Sequence, residues 1–384
     1  MSNPPASVPQ HWDIFCQVID NYGDIGTAWR LALQLQKEMG CHVRLWVDVL
    51  DALKMLVPAT DVSAQCQTLQ QIEVKQWTAA FVCPETLGEV VIEMFACELP
   101  QGYLQAMQSA AIAPIWVNLD YFSCESWVAG CHGLPSFHRS GLNKWFYFPG
   151  FSPIGGGLLR EADLQQKRTD FWQSPQAISR WLEKNSLAPA RANHFKVSLF
   201  AYENAALADL LTYLSQYPVE VYLPEGKLAH SLRQQAPFVN LQVGQSLDFG
   251  LLRVHLIAFL PQQEFDGLLR YCDLNFVRGE ESLTRAIWAA KPFVWHIYPT
   301  EDQAHWPKLE AFLTEYDLPE NIAEVTRDWN RQQLNQAHLE QLFNDLLATN
   351  SPCQSRVFAL SEQRAAEPSL VKQLTSFIQT KKEC

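Results

Sequence analysis

The chain has 384 residues, 48% of them hydrophobic and 18% charged, a globular composition with room for two domains of roughly 100–200 residues each. Asp and Glu total 41 against 29 Lys and Arg, a formal net charge of −12, which argues against a generic DNA- or RNA-binding protein, whose phosphate affinity rests on clustered positive charge. The start, Met1-Ser2-Asn3-Pro4-Pro5, has neither the basic residues nor the apolar core of a secretory signal, and no apolar run reaches the ~18 residues of a membrane span, so a cytoplasmic protein free of the membrane is expected.

Residues 12–19 form a mostly apolar run and predict a buried first strand. A tight loop with Gly23 and Gly26 follows, and from Thr27 the apolar residues Ala28, Leu31, Ala32, Leu35 and Met39 recur at helical spacing, with Gly40 as the stop. Residues 43–47 predict the next strand, so the chain opens as strand, glycine loop, helix, strand, a βαβ unit that implies a parallel sheet. Strands are expected again at 90–94 and 114–119, then an aromatic and glycine-rich stretch over 141–157, then helix and linker over 161–193. A second series begins at Phe195: strands at 196–200, 219–223, 254–260, 274–277 and 293–297, and helices at 205–216, 262–271 and 283–290. From Trp329 the text is mostly helical, with Leu339, Leu342, Phe343 and Leu346 on one face. Two such series predict two Rossmann-like domains, whose ligands lie beyond the carboxyl ends of the strands, in a cleft where the two sheets face each other.

None of the ten cysteines forms a C-x-x-C pair, and many, like Cys16, lie inside apolar runs, so buried free thiols of a reducing compartment are expected. Cys124, Cys131 and His132 fit no zinc spacing.

Three constellations carry possible chemistry. Asp20 and Asp24 follow the first strand, as a general base with an orienting partner or as caps of the next helix. Residues 278–282 read RGEES between a strand and a helix, where helix-start amides and the Ser282 hydroxyl suit a pyrophosphate; a plain capping loop is the alternative. Glu280 and Glu281 oppose an anion there unless one reaches a neutral polyol or base. Phe200, Tyr202 and Phe265 lie near strand ends, placed to stack a nucleobase or simply to fill the core. The glycines after the first strand do not match G-x-G-x-x-G, and Ser282 has no histidine partner at informative spacing, so neither a dinucleotide fingerprint nor a hydrolase triad is supported.

The runs IDNYGDIG at 19–26, IEMFAC at 92–97, FLPQQEFD at 259–266, FVRGEES at 276–282 and KPFVWHIYP at 291–299, with the stretch 148–159, resemble a known family. The chain is similar over nearly its whole length to the bacterial protein-arginine rhamnosyltransferases that modify translation elongation factor P. The resemblance implies an α/β fold of GT-B type, two facing Rossmann-like domains with an interdomain cleft. Residues 1–188 would bind the acceptor and 189–360 the nucleotide sugar, with a C-terminal helix over about 361–384 packing back on the first domain. It implies an inverting, metal-independent transfer of L-rhamnose from dTDP-β-L-rhamnose, a co-substrate rather than a cofactor, to an arginine of elongation factor P, which the modification activates. Asp24 matches the proposed catalytic base, Asp20 the second acidic residue, and Glu280 a group acting on sugar or arginine. Phe200, Tyr202, Gln262, Phe265, Arg278, Gly279, Glu281 and Ser282 match donor-pocket positions. The family often has Asp at Glu281 and Gln at Thr300. Rival readings are a non-catalytic module that binds a nucleotide sugar or a protein, and a GT-B enzyme with another donor; Asp20, Asp24 and Glu280 together favour the enzyme.

The chemistry has one evident difficulty. A guanidinium has a pKa of about 13.8 and a free aspartate about 3.9, so full deprotonation would cost on the order of 13 kcal/mol. Proton transfer must therefore be late, coupled to C–N bond formation, with a carboxylate first holding the guanidinium in a bidentate fork.

Overall fold

The computed structural model describes residues 8–20, 22–151, 153 and 155–382. Asn21 of the first loop, the Met1-to-Pro5 start and Cys384 lie outside the described residues. The chain divides into two α/β units, Met1–Ala162 with Glu367–Cys384, and Asp163–Ala366.

The first unit opens with β1 (His11–Cys16), α1 (Gly23–Met39), β2 (His42–Val47) and α2 (Leu50–Leu56). It continues through β3 (Cys66–Leu69), β4 (Ile72–Gln76), β5 (Val90–Met94), α3 (Gln101–Ser109), β6 (Ile115–Leu119), β7 (Pro135–Phe137) and β8 (Asn143–Tyr147). Its sheet has the order β3-β4-β2-β1-β5-β6-β8-β7. Edge strands β3 and β7 are antiparallel, and the strands between them are parallel. Central strands of a parallel sheet are covered on both faces, and every residue of β5, VVIEM, is buried. Its acidic residue, Glu93, is satisfied there by Trp116 Nε1 at 3.0 Å and Lys144 Nζ at 3.1 Å.

The second unit contains α4 (Leu164–Gln173), α5 (Pro175–Lys184), β9 (Phe195–Leu199), α6 (Leu207–Leu214), β10 (Val219–Pro224), α7 (Lys227–Leu232), β11 (Ser246–Phe249) and β12 (Leu252–Ile257). After these come α8 (Gln262–Tyr271), β13 (Leu274–Arg278), α9 (Gly279–Ala289), β14 (Phe293–His296), α10 (His305–Tyr316), α11 (Glu320–Asn330), α12 (Gln336–Leu346) and α13 (Pro352–Ala365). The sheet order is β11-β12-β10-β9-β13-β14, parallel except for β11. The chain then returns to the first unit with α14 (Leu370–Lys382). There Lys381 Nζ lies 4.0 Å from the centre of the Trp145 ring and Lys382 pairs with Glu89 at 2.8 Å.

Several boundaries differ from the sequence pattern, each for a local reason. The first strand ends at Cys16 rather than at 19, because the next N–H groups leave the ladder for carboxylates. Val18 N–H donates to Asp48 Oδ1 at 2.9 Å and Ile19 N–H to Asp24 Oδ2 at 2.8 Å. Helix α1 begins at Gly23, four residues before Thr27, and α9 at Gly279, before Leu283. Asp24 and the Glu280–Ser282 run thus lie in first helical turns, not in loops. The division between units falls at 162/163, where the sequence pattern places 188/189. The indoles of Trp172 on α4 and Trp181 on α5 donate to the α8 carbonyls of Arg270 at 3.1 Å and Glu264 at 3.2 Å, tying both helices to α8 of the second unit. Helices α10 and α11 fill the stretch for which the sequence predicts no element. The thiols of Cys16, Cys41, Cys97, Cys124, Cys272 and Cys353 are buried, but Cys66 and Cys131 are exposed. No helix among the described residues is long and apolar enough to cross a membrane.

Candidate active site

Both candidate clusters lie at carboxyl ends of parallel strands, each within its own unit. In the first, Asp24 sits in the opening turn of α1, only 2% exposed. Its Oδ2 accepts the N–H groups of Ile19 and Asp20, each at 2.8 Å, and its Oδ1 accepts the Tyr121 hydroxyl at 3.1 Å. Asp24 therefore folds the β1–α1 loop around itself, and the negative charge lies at the favourable end of the α1 dipole. Asp20 is half-buried in the same loop, its carbonyl accepting the Gly23 N–H at 2.8 Å.

Tyr121 is a site residue that sequence pattern does not single out. It follows β6, and its ring lies flat on Phe95, which follows β5, with centroids 4.2 Å apart and planes within 14°. Asn118 builds the platform: its Oδ1 accepts the Ala96 N–H at 2.8 Å and its Nδ2 donates to Asp120 Oδ2 at 3.1 Å, while Asp120 Oδ1 accepts the Tyr121 N–H at 2.8 Å.

In the second unit, the guanidinium of Arg278 lies between two rings, 4.6 Å from the centre of Phe200 and 4.9 Å from that of Tyr202. Phe265 is buried and packs on Phe200 at 5.1 Å. Gly279 turns the chain from β13 into α9 with φ of 60°, which a side chain would resist. The two glutamates that follow are neutralised in different directions. Glu280 pairs with Lys308 of α10. Glu281 pairs with Arg285 one turn on and accepts Gln262 Nε2 at 2.9 Å, while Arg285 also holds Asp266 at 2.8 Å. The like-charge conflict evident in the sequence is resolved by these cations, leaving the α9 N-terminus with its positive dipole. Ser282 is buried, and its hydroxyl is bonded to the backbone of Arg278.

Beneath Tyr202 lies the buried ring of His296, 5.2 Å away and edge-on. Burial first, then the charges of Arg278 and His305, push its pKa down to about 3, so it is neutral at pH 7. Thr300, where the resembling family often has Gln, closes its loop locally: its N–H donates to His305 Nδ1 at 3.1 Å. Lys308, Arg285 and His296 complete this cluster. Lys308 lies in a stretch whose helices the periodicity does not reveal, and no sequence signal couples it to Glu280. Cys124, Cys131 and His132 form no ligand set: no group of three or more His, Cys, Asp or Glu among the described residues is arranged to hold a metal ion.

A family model described as Elongation-Factor P (EF-P) rhamnosyltransferase EarP matches residues 12–379. The chain is 44% identical over 329 residues to a protein-arginine rhamnosyltransferase of Pseudomonas putida, covering 83% of this chain and 86% of that one. To the protein of the same name from Pseudomonas aeruginosa it is 43% identical over 327 residues, again covering 83% and 86%. Among solved structures, "Structural basis for EarP-mediated arginine glycosylation of translation elongation factor EF-P" aligns with a TM-score of 0.65 and 30% identity, covering 96% of this chain and 98% of that one. The two parallel-sheet units are those of the GT-B glycosyltransferase class. The chain belongs to the EarP family of elongation factor P rhamnosyltransferases.

Proposed function

We propose that this protein is an inverting, cytoplasmic glycosyltransferase that moves L-rhamnose from dTDP-β-L-rhamnose to one arginine side chain of translation elongation factor P, activating that factor. Its named relatives are protein-arginine rhamnosyltransferases, and the solved relative concerns arginine glycosylation of EF-P. The observation that carries the chemistry is Asp24: a buried carboxylate with both oxygens held by named donors at a strand end, as the base of a positioned proton transfer requires.

In this reading an arginine Nη attacks the anomeric carbon of rhamnose from the face opposite the diphosphate. The C–N bond forms as the C–O bond to dTDP breaks, and the Nη proton passes late to Asp24. Asp20 orients the guanidinium. The charge gathering on dTDP is met by Arg278 and the positive end of α9. Arg278, clamped between Phe200 and Tyr202, keeps its cationic fork in one place. Glu280, with its charge balanced by Lys308, binds the sugar or the arginine. Neither a cofactor nor a metal enters this scheme.

Asp24→Asn is the sharp test. Asn can turn its Oδ1 to the Ile19 and Asp20 amides and its NH₂ to the Tyr121 oxygen, so the loop survives. It takes no proton near neutral pH, and loss of a general base typically costs roughly 10²–10⁴-fold. Incubated with dTDP-rhamnose, the unmodified protein should add one deoxyhexose to elongation factor P by intact mass, and the Asn variant should do so slower by that factor. No added mass with the unmodified protein would favour a non-catalytic module; preference for another nucleotide sugar would keep the enzyme and change its donor.

A further inference from the structure

We infer that Tyr121 is a positioning residue for the transfer, acting through Asp24: its hydroxyl orients the carboxylate so that Oδ1 is the oxygen presented to the acceptor proton. The inference rests on the proposed role of Asp24 as base.

The two oxygens of Asp24 have different surroundings. Oδ2 accepts two backbone N–H groups at 2.8 Å and is committed to holding the loop. Among the described residues, Oδ1 has a single donor, the Tyr121 hydroxyl at 3.1 Å. A carboxylate oxygen accepts two hydrogen bonds readily, so Oδ1 can take an N–H from a guanidinium beside the tyrosine, whereas Oδ2 is filled. Two amides alone would pin one oxygen and let the carboxylate pivot about it. The third contact, from a group on another strand end, fixes the plane.

The placement of that hydroxyl is over-determined. Asn118, with no exposed surface, links the turn after β5 to Asp120, and Asp120 holds the Tyr121 amide. The ring is then stacked flat on Phe95. Phe95 and Ala96 both have φ of 55°, a conformation that residues with side chains rarely adopt and that persists where the surroundings enforce it. Simple packing of a loop needs neither two successive left-handed residues nor a buried amide bridging two strand ends. The result of the whole arrangement is one hydroxyl set on one carboxylate oxygen.

The test compares Tyr121→Phe, Asp24→Asn and the double variant in steady-state transfer to elongation factor P with dTDP-rhamnose. Phenylalanine keeps the stack on Phe95 and removes only the hydroxyl. Tyr121→Phe should lower kcat roughly 10–100-fold, the scale of a misplaced catalytic group, with KM for dTDP-rhamnose unchanged to within about twofold. Because Tyr121 acts through Asp24, the double variant should be no slower than Asp24→Asn alone. Phe95→Leu, which loosens the ring while keeping every polar group, should lower kcat in the same direction with KM unmoved. A wild-type kcat in Tyr121→Phe, or losses that multiply in the double variant, would overturn the inference while leaving Asp24 as the base. A wild-type rate in Asp24→Asn would instead remove the base reading itself.

Discussion

Ser282 and Arg278 are joined twice: the Ser282 Oγ accepts the Arg278 N–H at 2.9 Å, and its own proton goes to the Arg278 carbonyl. The hydroxyl thus closes the β13–α9 turn that carries Arg278, Gly279 and Glu280. Ser282→Ala would leave that N–H without its partner, at a cost of about 1–3 kcal/mol. Equilibrium unfolding in urea should show this loss. Donor affinity should fall less than tenfold, since the effect on ligand is through the turn; a much larger loss of dTDP binding at unchanged stability would mean that the hydroxyl contacts the donor directly.

Arg278→Lys should weaken dTDP binding by about tenfold. The planar guanidinium fills the space between Phe200 and Tyr202, and each such cation–ring contact contributes about 0.5–2 kcal/mol to holding the cation in place. An ammonium on a flexible stem presents no planar face to the rings. Calorimetry with dTDP measures the difference, and equal affinity for the two proteins would mean that the sandwich does not prepare the phosphate site.

Gly156 and Gly102 separate close packing from backbone freedom. A Cβ at 156 would fall 2.2 Å from Tyr147 Cε1, whereas one at 102 meets nothing within 4 Å. Gly156→Ala should destabilise by about 1–3 kcal/mol, the range for overpacking a rigid site. Gly102→Ala, inside α3, should be neutral or stabilise by about 0.5–1 kcal/mol, since glycine is the poorer helix former. The denaturation midpoint of Gly156→Ala should fall, and that of Gly102→Ala should stay or rise.

The neutral state of His296 makes stability depend on acid. Its folded pKa is held at about 3, while in the unfolded chain it titrates near 6.5. Between these values the unfolded state binds the proton and the folded state does not, so stability is lost as pH falls below about 6.5. The slope approaches about 1.4 kcal/mol per pH unit for this one group. His255 is also held below its ordinary value, chiefly by burial, and adds a loss of the same sign. His296→Gln should remove one of these contributions. Its unfolding free energy should therefore change less than that of the unmodified protein between pH 7 and pH 4.5, by up to about 2–3 kcal/mol; identical pH dependence would show that His296 is protonated without unfolding.

What the sequence determined by itself is the architecture and the location of both clusters. Alternation of short apolar runs with helical periodicity is a local property, and it marked β1, β2, β5, β6, β9, β10, β13 and β14 within a few residues. Charged loops at the ends of those strands are equally local, so Asp20, Asp24 and the Arg278–Ser282 run stood out, and the family resemblance assigned them roles. Two ends moved because side chains intervened: Asp24 takes the Ile19 N–H that would have continued β1, and Ser282 takes the Arg278 N–H and draws the start of α9 back to Gly279. Only the tertiary structure decided how the charges are matched. Tyr121 reaches Asp24 across 97 residues and Lys308 reaches Glu280 across 28, and neither pair shares a helix face or a strand register that a periodicity could reveal. The same holds for α14, whose amphipathic face fits any apolar surface; it is the seat of Lys381 on Trp145 and of Lys382 on Glu89 that assigns it to the first unit. Hydrogen bonds and ion pairs of this kind depend on where distant strand ends arrive in space, and that is set by sheet order, which local pattern does not encode.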